Sequence, residues 1–113
     1  MGLVNVEYFK KVSLNNEAFS LEIIERFLVQ SEQYQAELAT AIAQDDFASI
    51  KSVMQQLKSQ AQVFGASILV DKIRRIEKAH SDKIDKYKEH ILETKQTFEE
   101  LLGEVRGMRV MFA

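Results

Sequence analysis

At 113 residues and 46% apolar content, the chain has the length of one domain and can bury a core of its own. A net charge of −2 excludes a general nucleic-acid binder held by phosphate contacts, and the absence of cysteine excludes disulfides, thiol catalysis and cysteine-built zinc sites. No apolar run approaches the ~20 residues of a membrane span, no signal-peptide pattern opens the chain, and Val6 stands where an N-myristoylation signal needs Ser or Thr; a cytoplasmic protein without membrane contact is expected.

The apolar spacing is helical throughout. There is no proline to break a helix, no sustained period-2 alternation and no Asn-Gly or Asp-Gly hairpin turn. A short first helix is predicted near residues 5–12, with Asn5 as its cap. Ser13-Leu14-Asn15-Asn16 ends it and offers caps for the next helix. A long second helix is predicted over 16–44, where Ser20, Ile23, Ile24, Phe27, Ser31, Tyr34, Leu38, Ala41 and Ile42 form one stripe. Asp45 or Asp46 then caps a third helix that ends near Phe64, with Gly65 as the residue after its C-cap. A fourth helix is predicted over 66–80, with Leu69, Ile73 and Ile76 inward. A fifth is predicted over 82–106, capped by Ser81 or Asp82, with the stripe Ile84, Tyr87, Ile91, Phe98, Leu101, Leu102 and Val105. Connections this short make sequential helices antiparallel neighbours. The expected fold is therefore all-α: an up-and-down antiparallel four-helix bundle with a short extra N-terminal helix, one domain over residues 1–113. The apolar tail 107–113 either folds back on the bundle, mediates self-association or belongs to a longer protein. A monomer is expected, with a tail-mediated dimer as the alternative.

The third helix has two sharply different faces. Taking Gln55 as zero and ~100° per residue, Ala48, Lys51, Ser52, Ser59 and Gln62 fall within about 60°, and Lys58 at about −60°. The opposite face is Ile50, Val53, Met54, Leu57, Ala61 and Phe64, all apolar. Position 55 is thus displayed to solvent and Leu57 is buried.

The stretch from Gln55 to Ala66 resembles the motif of histidine phosphotransfer (HPt) domains, roughly His-x-Leu-Lys-Gly-Ser-Ala-x-x-x-Gly-Ala. Leu57, Lys58, Ala61, Gly65 and Ala66 fall in register. Upstream, Phe27-Leu28-Val29-Gln30-Ser31 and the run from Glu37 to Phe47 look like the family's second helix and its turn into the third; the resemblance covers roughly residues 17–80. It implies a helical bundle in a bacterial-type phosphorelay, not an enzyme, with a response-regulator receiver domain or hybrid sensor kinase as partner. It also implies that position 55 would hold the phosphoacceptor and that Lys58, one turn on, would favour the phosphoryl charge. Gln55 departs from the pattern where the acceptor histidine belongs, Ser59 replaces a glycine and Gln60 a serine. An imidazole nitrogen lone pair can attack a phosphoryl group. The glutamine amide lone pair is delocalised into its carbonyl and cannot. The expectation is a receiver-binding domain that is not phosphorylated at the usual position. Its docking face is Gln55, Lys58, Ser59, Lys51, Ser52 and Gln62, with Val29 and Ala48 as the apolar part, since receivers dock on the family's second and third helices.

Two rival readings stay open. His80 or His90, the only histidines, could accept phosphate in an active phosphotransfer protein. His80 reads better as a packed or end-capping residue and His90 as a surface residue. The alternative of another class is a structural or dimerising helical module. The run Lys72, Arg74, Arg75 and Lys78 lies among acidic neighbours and reads as a solvated face. No glycine-rich phosphate loop, metal motif or nucleophile–base pair is visible, so no cofactor or metal is expected.

Overall fold

The computed structural model describes residues 2–80 and 84–112 and, among them, five helices and no strand. They are α1 (Val6–Val12), α2 (Glu17–Ala43), α3 (Phe47–Val63), α4 (Ser67–Glu77) and α5 (Ile84–Phe112). Three side-chain caps start helices where the sequence offers them. Asn5 accepts from the Tyr8 N–H at 3.0 Å, Asn16 from Phe19 at 2.9 Å and Asp46 from Ser49 at 3.1 Å.

The reversals between helices use left-handed backbone. Leu14 and Asn15 turn the chain into α2 and Asp45 turns it into α3. Gly65, with φ of 62°, closes α3. There the Gly65 N–H donates to Gln62 and the Ala66 N–H to Ala61, both at 3.0 Å, which satisfies two end carbonyls in the Schellman arrangement. A Cβ on Gly65 would lie 2.8 Å from Asn5 Cβ and 3.1 Å from Tyr8 Cδ2, so α1 packs directly on this turn.

α2 packs on α3 and α5, and α4 completes the ring against α3 and α5. This is the up-and-down four-helix order. Its core runs through Ile24, Phe27, Leu38, Met54, Leu57, Ile73 and Phe98, all fully buried. One end is closed by an aromatic cluster: Phe64 stacks on Phe9 at 5.0 Å and meets Phe27 at 4.9 Å, and Phe9 meets Phe112 edge-on at 5.7 Å. Next to it the Glu104 carboxylate accepts from the backbone N–H groups of Leu3 at 2.7 Å and Val4 at 3.0 Å. This ties the N-terminal segment to α5.

Several boundaries differ from the sequence expectation. α4 stops at Glu77 rather than 80, and its last turn tightens as the Ala79 N–H donates to Ile76. α5 continues through Phe112 rather than ending near 106. The core stripe does not stop there: Val105, Met108 and Phe112 keep helical spacing, with Met108 buried and Phe112 against Phe9. Residues 107–112 of the expected tail are thus the end of α5. Ser81 and Asp82, the expected caps of this helix, lie outside the described residues. Ile23, Ile42, Ile84 and Tyr87 are only half-buried, whereas Leu28, Thr94 and Thr97 are buried and were not expected to be. The two threonines bury without penalty because their hydroxyls donate to the carbonyls of His90 (2.8 Å) and Glu93 (3.1 Å) in the preceding turn.

Candidate functional site

The site is built on α3, which is held firmly at both ends. At its start the Asp46 carboxylate accepts from the Ser49 hydroxyl at 2.6 Å and the Ser49 N–H at 3.1 Å. These bonds hold the Asp46 carboxyl below its usual range. The neighbouring Asp45 accepts from Lys88 of α5 at 3.0 Å and raises the Lys88 ammonium pKa. At its far end α3 finishes in the Gly65 turn under α1. All six residues of the expected apolar face, Ile50 through Phe64, are buried. Phe47, at the first helical position, joins them.

The polar face lies as the helical wheel requires. Ala48, Ser52, Gln55, Ser59 and Gln62 are exposed, while Lys51 and Lys58 are half-buried. Ala48, Lys51, Ser52 and Gln55 line a shallow groove of about 320 Å³. The fifth wall is Glu77, at the end of α4.

Glu77 was invisible to sequence reasoning, because only helix packing carries it across the 19 residues that separate it from Lys58. The Lys58 Nζ donates to Glu77 Oε1 at 2.7 Å, with side-chain exposures of 22% and 27%. The lysine expected to face solvent is therefore already paired. Lys51 also leans toward α4: its ammonium donates to the Ala79 carbonyl and sits 5.1 Å from the centre of the Phe47 ring.

The other expected site residues are not all in one place. Gln62 borders a separate groove of about 490 Å³ with Asn5, Tyr8 and Arg74. Val29, 68% exposed on α2, lines neither groove. Between α2 and α3 lies a furrow of about 400 Å³ lined by Ala36, Thr40, Gln44, Ser49 and Ser52 among others. Small residues at facing helical positions leave this space.

The histidines and one residue of the basic run differ from expectation, while Arg74, Arg75 and Lys78 are exposed as expected. His80 is not packed; it lies beyond the end of α4 and is exposed, because the helix stops three residues earlier. His90 is half-buried rather than a surface residue, and its Nε2 is buried without a hydrogen-bond partner among the described residues. Lys72 is not solvated: it donates to Glu93 at 3.0 Å and Thr97 at 2.9 Å, joining α4 to α5 and lowering the Glu93 pKa. Among the described residues no group of three or more His, Asp or Glu side chains is placed to hold a metal ion, and no helix is long and apolar enough to cross a membrane.

The family model of the Hpt domain matches residues 22–107. The chain belongs to the Hpt domain family. The match runs from the first turns of α2 to the later part of α5 and takes in all of α3 and α4, so every wall of the groove beside Gln55 lies within it. No curated protein and no solved structure matches the chain. Membership places this Hpt domain in phosphorelay signalling, in a class of phosphotransfer modules that generally interact with response-regulator receiver domains and are generally not catalytic enzymes.

Proposed function

We propose that this Hpt domain is a phosphorelay adaptor that binds a receiver domain through the polar face of α3 without being phosphorylated at position 55. The observation that carries the proposal is Gln55 itself. It is exposed at the centre of that face, with Leu57 buried behind it and the Lys58 and Gly65 of the family motif in register. A docked receiver would meet an amide there, able to donate and accept hydrogen bonds but not to attack phosphorus. Such a domain could compete with an active Hpt protein for its receiver or serve as a fixed scaffold. The contact would be at or below ~1,200 Å², in the range of transient complexes. Ser59→Trp, adding bulk next to Gln55, and Lys58→Glu, reversing a charge, are expected to weaken receiver affinity in a titration against purified receiver domains. Unchanged affinity in both variants would move the dock elsewhere.

One observation favours a second reading. His80 is exposed just past α4, where a phosphoryl donor could reach it. Acid-labile phosphate on the wild-type protein that disappears in His80→Gln would support it.

A further inference from the structure

Both cations flanking Gln55 are held by the end of α4. Lys51 is on a neutral carbonyl, that of Ala79, while Lys58 is on a full negative charge, that of Glu77. Glu77 lines the same groove as Gln55. The pair is half-buried on both sides, so water screens it less than it would a surface pair. A carboxylate thus already occupies the ammonium that an incoming anion on this face would use.

We infer that Glu77 is an internal competitor for Lys58, a latch that sets how strongly, and for which receivers, the α3 face binds. This rests on the proposed receiver dock and deepens it. An acidic receiver surface meets a Lys58 charge that Glu77 already offsets, and the Glu77 carboxylate stands in the groove as a like charge against that surface. Both effects lower the affinity for acidic partners. They favour receivers that fill the groove with neutral or donor groups facing Glu77. The fold does not need the pair for its cohesion, since α3 and α4 already share Leu57, Ala61, Leu69 and Ile73 in a continuous core. Its charge is therefore free to act on binding.

The test is a titration of purified, unphosphorylated receiver domains at low ionic strength. They would be run against wild type, Glu77→Gln, Lys58→Gln and the double variant, with thermal melts of each to read folding separately. The expected result is that Glu77→Gln tightens binding of an acidic-faced receiver by roughly three- to tenfold. The gain should be clearly smaller in the Lys58→Gln background, where only the like-charge repulsion is relieved, and shrink at high salt. If wild type binds but Glu77→Gln binds equally or more weakly, or gains as much without Lys58, the latch is wrong and the dock stands. If no variant binds any receiver, the dock itself fails and the latch falls with it.

Discussion

Leu57 and Lys58 are adjacent in sequence, yet one is fully buried and the other half-buried against a carboxylate of the next helix. The helical period makes the first placement legible from sequence. The second is not, because a lysine stem can lean either way and the acid that attracts it lies on another helix. The wheel gave the buried face from Ile50 to Phe64 and the display of Gln55, but not the burial of Phe47, the place of Glu77 or the engagement of Lys51 with Ala79. Gly65 was legible as a turn residue from its position alone. Its second role, letting Asn5 and Tyr8 pack close, depends on where α1 lands. Gly65→Ala is expected to destabilise by at least ~1–2 kcal/mol, the cost of a left-handed alanine, before the 2.8 Å approach to Asn5 is relieved; urea denaturation checks it. Asp46 gives a pH prediction. Its folded pKa lies below the usual 3.8, so its contribution is fully present above the unfolded pKa and is lost as pH falls through 3.8 toward the folded value. Asp46→Asn still caps α3, so stability near neutrality should change little. Its acid-side loss should be shallower than that of wild type in melts taken from pH 6 to pH 2.

At the scale of the elements, caps and left-handed turns fixed most helix starts in advance, because Asn5, Asn16 and Asp46 satisfy local N–H groups and need no tertiary partner. Helix ends were less legible. α4 ends at Glu77 without a glycine to stop it, and α5 runs on through Gly103 and Gly107 to Phe112. The sequence expectation ended this helix near 106, but Met108 and Phe112 beyond Gly107 find partners in the core and against Phe9, and burial outweighs the ~1 kcal/mol that a helical glycine costs relative to alanine. Among the described residues, no atom outside the adjoining helix backbone lies within 4 Å of a Cβ placed on Gly103. Gly103→Ala should therefore stabilise the protein by ~0.5–1 kcal/mol, the opposite sign to Gly65→Ala and measurable in the same urea series. Loss of stability in Gly103→Ala would mean that a neighbour approaches this face in solution.

Over the whole molecule, the aromatic cluster and the Glu104 tie close one end of the bundle, and the polar face of α3 lies along its side with α4 as a wall. The all-α bundle was legible because its four long stripes are periodic and its connections short. The arrangement around Gln55 was not, since it depends on which residues of α4 face α3. The last turns of α5 belong to this closure, which bears on the dimer alternative. Removing residues 107–113 exposes Phe9 and discards the buried Met108, so truncation should lower the melting temperature of the wild-type chain. An unchanged melt together with loss of a dimer in light scattering would instead support a tail-dependent structural module. The central claim, a working dock with an inert residue at its centre, is tested most directly by phosphoryl transfer from a panel of phosphorylated receiver domains to wild type and Gln55→His, side by side. The account predicts that Gln55→His accepts phosphate and wild type does not. Phosphate on the wild-type chain would contradict it and send the search to His80.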